Sequence, residues 1–94
     1  MTQRGLWRVE ILPAARRELL ALRNPIQGRM RSAIRKLADD PLPADSIAMR
    51  GRGTGLHRLR VSDYRIVYRL QWERVRVLVI RVGHRSEVYR GWED

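Results

Sequence analysis

The sequence predicts an α+β domain of order β-α-α-β-β-β, in which a two-helix hairpin packs on one face of a mostly antiparallel, twisted sheet. Three observations predict it. Leu6 to Leu12 alternates with a period of two, residues 13 to 38 carry apolar side chains at helical spacing in two runs, and His57 to Val82 returns to a period of two in three closely spaced runs. At 94 residues the chain has room for one hydrophobic core, so residues 1–94 are read as a single domain.

In the first strand Leu6, Arg8, Glu10 and Leu12 oppose Trp7, Val9 and Ile11. Pro13 then suits the first turn of a helix, where its missing N–H costs nothing. Ala15, Leu19 and Leu22 continue at helical spacing with Arg16, Arg17 and Glu18 between them, so a short helix runs from Pro13 to Leu22. Arg23-Asn24-Pro25 breaks it. Asn24 is the expected N-cap of a second helix with Pro25 at its first position, and Ile26, Met30, Ile34 and Leu37 share one stripe to about Ala38. Asp39 and Asp40 sit at the unfavourable end for the helix dipole, and Pro41 and Pro43 follow, so the helix stops there. Ile47 and Met49 open an irregular strand that leads into a turn at Gly51, Gly53 and Gly55.

Three strands follow in quick succession. Leu59 and Val61 oppose Arg58 and Arg60; Tyr64, Ile66, Tyr68 and Leu70 oppose Arg65, Val67 and Arg69; and Arg74 to Val82 is apolar on both faces through its centre, as a central strand should be. Gln71-Trp72-Glu73 fits the turn before the last strand, and Gly83 is the expected end of it. The short connections favour antiparallel neighbours.

Charge narrows the class of partner. Twenty Lys and Arg against ten Asp and Glu give a formal net charge of +10, and Lys36 is the single lysine. Arginine presents a permanently charged planar fork that grips phosphate or carboxylate with two hydrogen bonds. So many on one short chain point to an anionic partner, nucleic acid or an acidic protein segment. Codon bias and solubility would also raise the total, but they do not put arginines at alternate strand positions. There is no cysteine, which excludes disulfides and thiol chemistry. The two histidines make no metal-ligand spacing and Asp45 to Gly55 lacks a phosphate-loop pattern, so no metal or cofactor is expected. The longest apolar run, Val77 to Ile80, is far short of the ~20 residues that span a membrane. The first twelve residues carry no long apolar segment of a secretory signal, so the expected location is the cytoplasm.

Alternation puts Arg58, Arg60, Arg65 and Arg69 on the side of the sheet opposite the apolar residues. Such an array suits a phosphodiester backbone, and in a cleft it would stabilise the extra charge of a phosphorane-like transition state. A solvated strand face is the plainer reading. His84, Arg85, Glu87 and Tyr89 crowd into six residues just past a strand end, where they are expected to converge. Metal-free RNA cleavage needs a group that takes the 2′-hydroxyl proton, positive charge at the phosphate, and an acid for the leaving 5′-oxygen. Arginine supplies only the charge. The proton work would fall on His84, Tyr89, Glu87 or His57.

Leu59-Arg60-Val61, Asp63-Tyr64-Arg65-Ile66-Val67-Tyr68, Val77 to Val82 and Gly83-His84-Arg85-Ser86-Glu87-Val88-Tyr89-Arg90 together resemble the C-terminal half of RelE-type toxins of bacterial toxin–antitoxin pairs. Pro13-Ala14-Ala15-Arg16-Arg17 and Met49-Arg50-Gly51 extend the resemblance over nearly the whole chain. It implies an endonuclease that enters the ribosomal A site, cleaves mRNA there, blocks translation and is silenced by a cognate antitoxin. It also implies roles for particular residues. Arg58 and Arg60 match two alternating basic positions, Arg65 the arginine after the tyrosine, Arg85 (with His84 beside it) the basic residue after the glycine step, and Tyr89 the terminal tyrosine. Arg65, His84, Arg85 and Tyr89 are thus the expected catalytic set, with Arg58, Arg60 and Arg69 holding phosphate. The best-known members carry lysine at the two alternating positions, one of them often assigned proton transfer. With arginine at both, His84 becomes the favoured acid or base, Tyr89 its partner or a stacking group, and Glu87 a structural residue. Two other readings remain beside this one: a ParE-like gyrase inhibitor without catalysis, and an inactive module that binds nucleic acid or antitoxin. The expected antitoxin lays an acidic or amphipathic segment over the positive surface.

Overall fold

A computed structural model describes residues 6–50 and 55–88. Its elements are β1 (Arg8–Ile11), α1 (Pro13–Ala21), α2 (Ile26–Lys36), β2 (Ser46–Ala48), β3 (Leu56–Val61), β4 (Tyr64–Gln71), a 3-10 turn at Trp72–Arg74, and β5 (Arg76–His84). The α+β class and the helical hairpin on a mostly antiparallel sheet are as expected, and the irregular segment at Ile47 is a true edge strand. The sheet order is β1-β5-β4-β3-β2, with β1 and β5 parallel and every other pair antiparallel.

Ala15 and Leu19 of α1 and Met30 and Ile34 of α2, together with Leu37 just past it, meet Leu59, Ile66, Tyr68, Leu70, Val77, Val79 and Val82 in one buried cluster. The stripe spacing puts the helical members on one side of each helix, and the strand period puts the sheet members on one face. At the centre Tyr68 is fully buried and its hydroxyl donates to the Pro41 carbonyl at 2.8 Å. Burial pushes its pKa above the ordinary 10.0; the nearby Ser46 hydroxyl pulls it back and the Asp40 carboxylate adds to the rise.

Two local expectations are corrected. Asn24 does not cap α2: Pro25 itself takes the N-cap position with helical dihedrals (φ −86°, ψ −3°), and no side chain caps that end. Gln27 does the joining instead, its amide nitrogen donating to Leu22 O at 2.8 Å at the end of α1. Nor does Gly83 end the last strand. The ladder continues through Arg65–Gly83 to Tyr64–His84 because the β3–β4 hairpin carries β4 that far. The expected turn glycines Gly51 and Gly53 lie outside the described residues; Gly55 is within them, at φ 80°, where an added Cβ would stand 2.9 Å from Leu70 O. Glycine is therefore required at that turn.

The pairing of β4 with β5 holds the feature that decides which residues share a face. Tyr68 opposes Val79 but Val67 opposes Arg81, so Ile80 is an extra, unpaired residue on β5. Such a bulge shifts the phase of alternation by one residue. Val77 and Val79 before it and Val82 after it all reach the core, while Arg81 and Gly83 turn to the other face. Where β1 stops, Leu12 N–H makes the last bond to Val79 O at 3.0 Å. Beyond that point the open edge of β5 is taken up by Glu18 of α1, whose carboxylate accepts Val82 N–H at 2.9 Å and Arg81 Nε–H at 2.9 Å.

Candidate nucleic-acid interface

The face of the sheet away from the helices is built row by row from the register. One row is Ile47–Arg58–Val67–Arg81, the next is Arg60–Arg65–Gly83, and a third is Leu56–Arg69–Leu78. The five arginines arrive there because each alternates with a residue committed to the core, and the bulge adds Arg81 to the set. Arg60 and Arg65 are direct cross-strand partners. Like charges opposite one another cost stability, and an anion lying across the two forks would offset that cost.

Around them lies a groove of about 340 Å³ lined by Ala44, Asp45, Ile47, Arg58, Arg60 and Arg65. The Arg65 guanidinium is held at its rim: one nitrogen donates to Ser62 O at 3.2 Å and to Tyr64 O at 3.0 Å, around the hairpin turn where Ser62 takes φ 57°. The remaining N–H groups of that fork are not used by these bonds. Arg58 is half-buried and Arg60 exposed. The groove therefore offers three permanently charged guanidinium groups, that of Arg65 held in place, and this is chemistry that suits a phosphodiester backbone.

Asp45 was not anticipated from the sequence. Its backbone carbonyl accepts Arg60 N–H at 3.4 Å, which sets its side chain at the edge of the arginine groove. Among the described residues lining that groove it is the one able to accept a proton. Its sequence signal is faint, since an aspartate between two prolines and a strand is what any loop would carry.

His84 falls elsewhere. It pairs with Tyr64, on the helix side of the phase shift, and the two rings meet edge to face at 5.3 Å. Its Nδ1 accepts the Ser86 backbone N–H at 3.1 Å and lies 2.8 Å from the Ser86 hydroxyl. A backbone N–H can only donate, so the hydrogen of the neutral ring sits on Nε2. His57 is on the face opposite the arginines too. It stacks on Tyr68 at 5.6 Å on the helix side, with its Nδ1 on Gly55 O at 3.1 Å.

After His84 the chain turns sharply. Glu87 N–H and Val88 N–H both bond to His84 O, at 2.8 and 2.9 Å, and exposed Arg85 donates its backbone N–H to Asp63 O at 2.8 Å. Val88 is buried against Gly83, on the arginine side of β5. Thus the structure brings Arg58, Arg60 and Arg65 together, puts Arg69 farther along the same face, places Arg85 on the adjoining turn and His84 on the opposite side. Tyr89 lies outside the described residues. No three His, Cys, Asp or Glu side chains among the described residues come together as a metal-binding group, and no helix there is long and apolar enough to cross a membrane.

Comparison with known proteins agrees with this architecture. A chain of the RelBE2 toxin–antitoxin complex from Mycobacterium tuberculosis is 29% identical with a TM-score of 0.73, covering 83% of this chain and 96% of that one. One from the archaeal RelE–RelB complex of Pyrococcus horikoshii is 26% identical with a TM-score of 0.75, covering 86% and 97%. The isolated RelE toxin of E. coli is 26% identical at 0.72, covering 92% and 94%. No curated protein sequence matches the chain. Residues 9–89 match the family model described as the ParE toxin of the type II toxin–antitoxin system parDE. With that match over most of its length and a fold shared with RelE structures, the chain belongs to the ParE toxin family, within the RelE/ParE superfamily of type II toxins.

Proposed function

We propose that this toxin is a metal-independent, ribosome-dependent endoribonuclease that cuts mRNA in the A site, with the groove at Arg58, Arg60 and Arg65 as its phosphate site. The observation that carries the reading is the direct Arg60–Arg65 pair in a groove that also holds Asp45. The arginine forks neutralise the charge that builds on phosphorus as the 2′-oxygen attacks, which is worth about 10²- to 10³-fold per well-placed donor. Asp45 takes the 2′-hydroxyl proton, a task arginine cannot perform. Tyr89 is assigned, from the family resemblance, to protonating the leaving 5′-oxygen or stacking on a base. Arg85 adds charge from the turn, Arg69 extends the phosphate track, and His84 braces the turn through Ser86. The reaction belongs where ribosomes translate, in the cytoplasm. The cognate antitoxin silences it by laying an acidic or amphipathic segment over the arginine face; the similar RelE chains crystallised with RelB support a partner of this kind.

The test is to add purified protein to a translating extract and map mRNA ends. Codon-phased cuts, lost in Arg60→Gln/Arg65→Gln and in Asp45→Asn, are the expected result. A second reading has its own support: the matching family model is that of ParE toxins, and His84 lies away from the arginines. It is a gyrase inhibitor that uses the same face to bind without cutting. Intact mRNA together with gyrase-dependent DNA breaks would establish it and overturn the first.

A further inference from the structure

We propose that the far end of the arginine face, where β4 runs into the Trp72–Arg74 turn, is a second subsite that binds one nucleotide of single-stranded RNA, its base on Trp72 and its phosphate at Arg74. The proposal rests on the reading of this face as an RNA surface, and not on cleavage.

Trp72 is 58% exposed, yet it is not loose: its ring meets the buried Trp7 ring edge to face at 5.0 Å and 83°. The turn beneath it is fixed as well. Val75 closes it with N–H to Trp72 O at 3.2 Å, at φ 51°, and passes its own carbonyl to Arg8 N–H at 3.0 Å. Val75 also packs against the core cluster, so the turn that carries Trp72 is anchored from below. An exposed aromatic plane on a rigid support is what base stacking uses.

Beside Trp72 is a cleft of about 490 Å³ whose walls include Gly55, Arg69, Gln71, Glu73 and Arg74. The Gln71 side-chain oxygen is buried there with no hydrogen-bond partner. A buried acceptor left unmade is costly, so turning the Gln71 side chain outward into the cleft exchanges that unmade bond for one from the exocyclic amine or ring N–H of a base. Arg74 also borders a groove of about 330 Å³ with Leu6, Arg8, Val75 and Arg76. Arg8 and Arg76 are direct partners across β1 and β5, a second like-charge pair, offset in part by Glu10 at 3.7 Å from Arg76. A phosphate at this end relieves that repulsion as one relieves it at Arg60 and Arg65.

Gln71 shares its face with Arg65 and Arg69, and six residues of strand separate it from Arg65, about 20 Å. One RNA strand lying along β4 therefore reaches both sites. One nucleotide presents a flat base to Trp72, a donor to Gln71 and a phosphate to Arg74 in a single unit, so RNA is the occupant the three features fit together.

The experiment is anisotropy of a fluorescent single-stranded 2′-O-methyl oligoribonucleotide, which cannot be cut. Trp72→Ala is expected to weaken binding about five- to hundred-fold. Trp72→Tyr should keep most of the affinity, Gln71→Leu should flatten base preference, and Arg74→Gln should reduce the salt slope by about one. Circular dichroism and melting identify a variant that fails to fold; Arg74→Gln and Gln71→Leu then carry the test. Unchanged affinity in Trp72→Ala, or Trp72→Tyr as weak as Trp72→Ala, overturns the subsite. So does loss of antitoxin binding with oligonucleotide binding intact, which gives the patch to a protein. A wild type that binds but never cuts removes the endonuclease reading and leaves this one standing; a wild type that binds no oligonucleotide removes this one.

Discussion

The two faces of this sheet use the same strands for opposite purposes. Toward the helices Ile66, Tyr68, Leu70, Val77 and Val79 are buried in one cluster. Away from them Arg58, Arg60, Arg65, Arg69 and Arg81 share the face with Val67 and Leu56, which are themselves buried. The helix face would lose stability if any member were polar. The arginine face carries two directly opposed pairs of like charge, Arg60–Arg65 and Arg8–Arg76, which folding alone would not select. The difference teaches that one face is built by packing while the other is built of charge, which is why an anionic partner is proposed for it.

The sharpest way to break this contrast is to put a charge on the helix face with Val79→Asp. Val79 is fully buried in the core cluster, so the substitution removes an apolar side chain and leaves a carboxylate there without a partner. The expected cost is at least about 3 kcal/mol, read from the midpoint of urea unfolding. Next in size is Arg60→Gln/Arg65→Gln, expected to lower mRNA cleavage by more than about a thousand-fold. Its unfolding midpoint should stay level or rise as the repulsion is removed. A large loss of stability instead would mean that the pair is structural.

Tyr68→Phe probes the helix face. It removes the bond to Pro41 O, for about 1 kcal/mol at neutral pH. The sign with pH follows from the raised pKa. Below 10.0 the phenol is neutral in both states, and as pH rises past that value the unfolded chain ionises first, so the folded state loses ground until its own raised pKa is reached. Wild type should thus lose stability above about pH 10 in a way that Tyr68→Phe does not. The smallest effect is expected from His84→Gln, under about threefold on cleavage, because the ring lies on the helix side beside Tyr64. A loss approaching that of the arginine pair would put His84 in the chemistry and displace Asp45.

Much of this was legible in the sequence. Alternation assigned Leu59, Ile66 and Tyr68 to one side and Arg58, Arg60 and Arg65 to the other, because period two leaves a half-buried strand no other choice. The helices were equally plain from the spacing of Ala15 and Leu19 and of Met30 and Ile34. The phase of β5 was not. Val77-Leu78-Val79-Ile80 is apolar on both faces, so nothing marks which residue is the extra one, and counting straight through puts His84 among the arginines. Asp45 was hidden for a different reason: its place depends on β2 pairing with β3, a long-range contact that no local pattern announces. The Asn24 cap failed because Pro25 already adopts helical dihedrals and takes the position itself.

The Glu18 carboxylate has a consequence for how copies of this chain treat one another. A strand with bare N–H and C=O groups is a template on which another chain's strand can add. β1 covers β5 only as far as Val79, and past that point Glu18 occupies the donor at Val82 while Arg81 anchors it. The described sheet is then bounded by the four-residue β1 and the three-residue β2, both short for a foreign strand to grip. Glu18→Lys would expose the Val82 edge, and a chain so altered is expected to form aggregates on concentration that wild type does not, as light scattering would record.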